Sequence, residues 1–205
     1  MINDVTYLMN ESLSELTQIH DIQTEIDNTA VWSTKPLDYR REREQTLRQL
    51  EQHASGYTTL GRSTVALLKD FTAETTTPFM MPEIVDRLAA MLDYNLDALA
   101  GPKCQNLVVK DPEKLKFSPK ALLSDILQIF LNLSDQEDFV KAVAGDGRSY
   151  RKELFERASS IAKDKALKSS SDLETLSLFV AKVEVAKAAL KEEDEIGEIP
   201  EEFLG

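Results

Sequence analysis

The chain reads as all-α, a stack of helical hairpins, and three observations carry that reading. Apolar residues recur at spacings of three and four along most of its length. No run of five or more residues alternates apolar and polar as a half-buried strand would; Val108-Val109-Lys110 is the only extended-looking piece. Proline, glycine and capping residues divide the helical stretches, leaving connections mostly under eight residues, the lengths that join antiparallel or right-angled neighbours. No repeat of about 34 or 40 residues is visible, but an irregular α-solenoid needs only the apolar spacing to persist.

The first segment, Asn3 to about Asn28, sets Val5, Leu8, Met9, Leu16, Ile19, Ile22 and Ile26 along one face. Trp32 with Ser33-Thr34-Lys35-Pro36 reads as a connector whose one aromatic anchor tucks against the helices. Leu37 to Ala54 is mostly polar, with Leu47, Leu50 and Ala54 as a thin stripe and Glu44–Arg48 as an i,i+4 pair. Gly56 is expected to break this helix. Tyr57, Leu60, Leu67, Leu68 and Phe71 are expected to form the buried face of a separate short one, and Thr72 to Thr77 a turn. Residues 1–72 form the N-terminal group.

The organising stretch is Pro78 to Leu133, within a second region, 73–190. Pro82 suits a first helical turn. Ile84, Val85, Leu88, Leu92, Leu96 and Leu99 follow, and Ala89, Ala90, Met91 and Tyr94 widen the apolar face almost to the full circumference. Gly101-Pro102 closes the helix, with glycine expected in the left-handed C-terminal position. Ser118 caps the next helix, Pro119 starts it, and Leu122, Leu123, Ile126, Leu127, Phe130 and Leu133 line it. The predicted scaffold core is therefore Ile84, Leu88, Leu92, Leu96, Ile126, Leu127 and Phe130. Ser134-Asp135-Gln136-Glu137 has the form of a capping box before Phe139, Val140 and Val143, and Gly145-Asp146-Gly147 ends that helix. Leu154, Phe155, Ala158, Ile161 and Ala162 mark the next buried face. A second capping box, Ser171-Asp172-Leu173-Glu174, opens a last helix carrying Leu173, Leu176, Val180, Val183 and Leu190.

Charge excludes some functions. The net charge is −12, and the last fifteen residues, 191–205, hold one basic and seven acidic side chains, half of that total. Such a surface disfavours nucleic-acid phosphates and anionic membranes. No apolar run reaches the roughly 18 residues that span a bilayer, and the start lacks a signal-peptide pattern. One cysteine, Cys104, rules out an internal disulfide or a cysteine-rich zinc site. His20 and His53 show no metal-ligand spacing, Asp146-Gly147 lacks the rest of a calcium loop, and no serine sits in a nucleophile elbow. No cofactor or metal is expected. Asn132-Leu133-Ser134 matches a glycosylation pattern by chance, at the end of an apolar helix.

Three groups remain as candidates. Cys104 beside Lys103 could be a reactive thiol, but reads more simply as a packing residue. Asp86, Asp93 and Asp97 recur at helical spacing and read as the solvated edge of their helix rather than an acid/base pair. Lys103, Lys110, Lys114, Lys116 and Lys120 are the one basic accumulation; they could meet an acidic protein surface, although Asp111 and Glu113 dilute them toward an ordinary solvated loop.

The stretch PEIVDRLAAMLDYNLDALAGPKCQNLVVKDPEKLKFSPKALLSDI, continued by DFVKAVAGDGRSYRKELFERA, resembles the core of the ubiquitin conjugation factor E4 family, the Ufd2-type polyubiquitin chain elongation factors. Asp86-Arg87-Leu88-Ala89, Gly101-Pro102-Lys103, and Ser149-Tyr150 with Lys152-Glu153-Leu154-Phe155 carry it most specifically. It covers the whole chain, best from Phe71 to Leu190. The resemblance implies an armadillo-like superhelix of which this chain is the C-terminal part, followed by a zinc-free U-box that binds the ubiquitin-charged E2. Residues 191–205 would then be an acidic linker, with Ile199, Pro200, Phe203 and Leu204 as the hinge to that domain; its Asp-Pro opening is not in this sequence. The implied whole protein is a ubiquitin transferase in proteasomal and ER-associated degradation, cytoplasmic and nuclear, with ubiquitinated substrates and a Cdc48-type ATPase as partners. A U-box ligase forms no ubiquitin–cysteine intermediate, so Cys104 would not be a nucleophile, and this chain alone is expected to build no ubiquitin chains. The alternatives are a non-enzymatic adaptor that binds a partner helix or acidic surface, and an enzyme built on Cys104 or the Asp86/Asp93 face.

Overall fold

The helix that organises the molecule, α4 (Pro82–Ala100), packs on four others, and the remaining elements follow from how it is surrounded. The computed structural model describes residues 1–197. Among them are eight α-helices, two 3₁₀ turns and no strand. The predicted hinge residues Ile199, Pro200, Phe203 and Leu204 lie outside the described residues. One hydrophobic core runs through all the long helices.

Helix α1 (Ile2–Asp27) and helix α3 (Leu37–Glu74) form a long antiparallel hairpin, joined by the short α2 (Thr29–Trp32). Gly56 does not break α3, which is continuous over 38 residues. One glycine costs a helix interior about 1 kcal/mol relative to alanine, and the interface with α1 along the helix outweighs that. The buried face of α3 also differs from the expected one. It consists of Ala54, Thr58, Gly61, Val65, Leu68 and Thr72, at alternating spacings of four and three. Leu60, Leu67 and Phe71 instead point to solvent and Tyr57 is half-buried. The hairpin closes over small residues: a Cβ on Gly61 would stand 2.9 Å from the Met9 sulfur. Where the backbones come this close, at Gly61, a large side chain has no room. Trp32 is half-buried, tilted against Tyr39 with centroids 6.3 Å apart, a looser anchor than expected.

On α4, Leu88, Leu92 and Leu96 are completely buried, Ile84 is half-buried, and Ala90 and Tyr94 face solvent, so the apolar band is narrower than the composition suggests. Gly101 ends the helix in extended backbone (φ −75°, ψ −176°), not in the left-handed region. Glycine is needed there for room: the Asp97 carbonyl and carboxyl oxygens lie 2.3 Å from where a Cβ would sit.

The chain then crosses to α5 (Pro119–Leu133), capped as expected by the Ser118 hydroxyl, which accepts from the Ala121 N–H. Ile126, Leu127 and Phe130 are fully buried. Helix α6 (Glu137–Gly145) starts without a capping box, because the Ser134 hydroxyl donates to the Leu131 carbonyl at 2.8 Å and Gln136 takes the cap position. Helix α7 (Lys152–Asp164) buries Leu154, Phe155, Ala158 and Ala162, with Ile161 half-buried. It ends in a Schellman turn, with Leu167 N–H donating to Ala162 and Ala166 N–H to Lys163, and with Ala166 itself at φ 52°.

The capping box of α8 (Ser170–Gly197) lies two residues before the expected one. Ser169 Oγ accepts from the Asp172 N–H at 3.1 Å, and the Asp172 carboxylate accepts from the Ser169 N–H at 3.4 Å. Leu176, Phe179, Val180 and Val183 are the buried face, whereas Leu173 is half-buried and Leu190 exposed. The helix continues through the acidic residues Glu192–Glu195, all exposed, as far as Gly197.

Candidate functional site

The connector between α4 and α5 is held down by one face of α1. His20 Nδ1 donates to the Val108 carbonyl, the Gln23 side-chain oxygen accepts from the Lys110 N–H at 2.9 Å, and Asp27 pairs with the Lys110 ammonium. His20, Gln23 and Asp27 stand at i, i+3 and i+7, so a single helical stripe fixes the extended-looking residues 108–110. This pairing also divides the predicted lysine patch. Lys110 answers Asp27, and Lys114 lies 3.6 Å from Glu51 on α3. Lys103, Lys116 and Lys120 are exposed and enter no ion pair among the described residues. Two of the five lysines thus tie the connector to the hairpin.

Cys104 is half-buried in the 3₁₀ turn Cys104–Leu107, with the Arg157 guanidinium 3.9 Å from its sulfur. The aspartates of α4 separate into three environments. Asp86 is solvated. Asp97 takes an ion pair from Arg151 at 2.7 Å. Asp93, expected at a solvated edge, has no exposure at all. Burial first, and then the Asp146 carboxyl facing it, push its pKa well above the usual carboxylate range. The sequence held a partial signal for this: Asp93 stands one turn after Ala89 and next to Leu92, both fully buried.

Near this pair, the Tyr150 hydroxyl donates to Glu184 of α8 at 2.6 Å, and the Lys187 ammonium stands over the Tyr150 ring. Burial, with the Glu184 hydrogen bond second, raises the Tyr150 pKa. The turn from Gly145 to Arg151 therefore contacts α4 through Asp146 and Arg151 and α8 through Tyr150. Sequence reasoning identified this turn as a helix end and, through Ser149-Tyr150, as part of the family resemblance, but not as a contact between α4 and α8.

On the opposite side of α4 a groove follows the α1–α4 seam as three consecutive depressions of about 350, 370 and 490 Å³. Asn3 and Arg87 border the first two, and Tyr94 the last two. Among the described residues no group of three or more His, Cys, Asp or Glu side chains could hold a metal ion, and no helix is long and apolar enough to cross a membrane.

A continuous helical stack with elongated surface grooves defines an α-solenoid-like protein. Comparison with known proteins makes the class specific: the model of the ubiquitin elongating factor core matches residues 1–184, and this chain belongs to that family, the E4 ubiquitin conjugation factors. It is 47% identical over 205 residues to the ubiquitin conjugation factor E4 of Schizosaccharomyces pombe, covering all of this chain and 20% of that protein. It is 41% identical over 207 residues to the E4 ubiquitin-protein ligase UFD2 of Saccharomyces cerevisiae, covering 22% of it, and 33% identical to the rat ubiquitin conjugation factor E4 A, covering 19%. The chain thus spans about a fifth of the length of the relatives it matches.

Proposed function

We propose that this chain serves as a scaffold within an E4-type chain elongation factor, positioning an E2-binding U-box and the ubiquitinated substrate for polyubiquitin assembly. The observation that carries the reading is the outer face of α3. Leu60, Leu67 and Phe71 form an exposed apolar stripe along a 38-residue helix, as a surface does when another helix of a superhelix stacks on it. Relatives about five times as long leave ample chain for that neighbour. Catalysis in this reading is positional: the scaffold sets the distance and orientation of the E2 thioester relative to the growing chain. Its partners are the charged E2, ubiquitinated substrates and a Cdc48-type ATPase, and its setting is proteasomal degradation, ER-associated degradation included, in cytoplasm and nucleus.

The test is chain elongation by a full-length E4 factor carrying this segment. Leu67→Asp with Phe71→Asp should shorten the ubiquitin chains while leaving E2 binding intact, because only the stacking is lost. Unchanged chain length in a variant shown to be folded would overturn the scaffold role of α3.

A further inference from the structure

We propose that Asp93 and Asp146 form a proton-dependent latch: one shared proton holds the turn from Gly145 to Arg151 against α4, and its loss releases that turn. Asp93 is completely buried, and no N–H or O–H group of the described residues donates to either of its carboxyl oxygens. Asp146 Oδ2 is equally enclosed and without a donor. The Asp146 carboxyl faces that of Asp93, and the two can hydrogen-bond only while one of them carries a proton, since an ionised carboxylate is an acceptor only.

The neighbouring groups cannot replace that proton. From the turn, the Tyr150 hydroxyl is committed to Glu184 and the Arg151 guanidinium to Asp97. From α8, Glu184 is negative and Lys187 sits over the Tyr150 ring. From α7, Glu153 adds further negative charge close to Tyr150. Neither α1 nor α5 brings a charged group that acts on Asp93. Two carboxylates facing each other in such a site cannot both ionise and remain in place. Once the proton leaves, Asp146 moves out and takes with it Tyr150 and Arg151, the contacts through which the turn reaches α8 and the end of α4. The latch thereby couples one proton to the seating of α8.

The sign follows from linkage. The folded state keeps the Asp93 proton to higher pH than the unfolded chain, where an aspartate titrates near 3.9. Its stabilising contribution is therefore full below that value and is lost as pH rises through the folded one.

The experiment is urea denaturation of the full 205-residue chain between pH 4.5 and 9, wild type against Asp93→Asn and Asp146→Asn. An asparagine at either position stays neutral and donates to the remaining carboxylate. The unfolding constant of the wild type should rise relative to Asp93→Asn by up to about tenfold per pH unit within the window and then level off. A ratio constant across the range would overturn the latch. Carboxyl carbon NMR of the wild type tests the same point with no variant: Asp93 should remain protonated where the other aspartates have ionised, and titration alongside them refutes the proposal. Amide exchange, corrected for its intrinsic pH dependence, should accelerate between residues 146 and 151 as Asp93 ionises. Exchange there that stays flat through that titration refutes the release.

Discussion

The α1–α3 hairpin and the α5–α8 bundle close their interfaces in opposite ways. In the hairpin the backbones approach because the seam on α3 is mostly short-chained: Ala54, Thr58, Gly61, Val65 and Thr72, with Leu68 as its one long side chain. Two of its buried hydroxyls are satisfied within their own helices, Ser12 donating to the Leu8 carbonyl and Thr72 to that of Lys69, whereas the Thr58 hydroxyl has no partner among the described residues. In the bundle, four helices each contribute one phenylalanine, and Phe130 meets Phe139, Phe155 and Phe179 with centroids 5.0 to 5.9 Å away. One interface is made by removing side chains and the other by filling space with them. The lesson is that the hairpin should be sensitive to added atoms and the bundle to deleted ones.

The largest effect should come from Phe130→Ala, the deletion that strikes all three contacts of the bundle. About 3–5 kcal/mol should be lost in a urea melt. A loss below about 1 kcal/mol would show that the other rings fill the gap and that Phe130 is not the hub. Leu92→Ala, on the helix shared by both halves, should cost about 2–5 kcal/mol and leave a single transition. Two resolved transitions in that variant would break the comparison at its root, by making the hairpin and bundle separate folding units.

The all-α class and the central helix pair were legible because long apolar side chains at helical spacing can be read without knowing their partners. Leu88, Leu92, Leu96, Ile126, Leu127 and Phe130 are such residues, and all are fully buried. The hairpin seam was not legible for a physical reason. Periodicity weights size, and a seam chosen for close approach is built largely of alanine, threonine and glycine, so Leu60, Leu67 and Phe71 drew the prediction one position off most of the buried face, although Leu68 was placed correctly. Capping was read correctly at Ser118 but not at Ser134 or Ser171, since several nearby serines satisfy the same local pattern and tertiary geometry selects among them. The lysines were legible as a cluster, but the pairing of Lys110 and Lys114 was not, because Asp27 and Glu51 come from helices far away in sequence. Asp93 was misread because a charged residue on a helix is ordinarily solvated.

On the hairpin side, Gly61→Leu should cost about 1–3 kcal/mol by overpacking the seam, despite leucine's better helix propensity. The Met9 sulfur would have to give way, and Ser12 and the Leu8 carbonyl lie close behind it. A stable Gly61→Leu protein would mean that the seam has slack and that its small residues are incidental.

The smallest effect sharpens the comparison most, because it uses the same chemistry in the same helix. Gly56 and Gly61 both sit inside α3, and each costs helix stability through the freedom that glycine retains in the unfolded chain. A Cβ at residue 56 would meet nothing within 4 Å, whereas one at residue 61 would press on Met9. Gly56→Ala should therefore stabilise the protein by about 0.5–1 kcal/mol, the intrinsic helix gain with no opposing contact. Gly61→Ala starts from that same gain but must move the flexible end of Met9 to keep it. Its net change should fall short of Gly56→Ala by several tenths of a kcal/mol or more. Thermal or urea melts of the two alanine variants against wild type measure the difference directly. Equal stabilisation at the two sites would show that the hairpin absorbs a methyl as easily as solvent does, and the idea that close approach selects Gly61 would have to be abandoned.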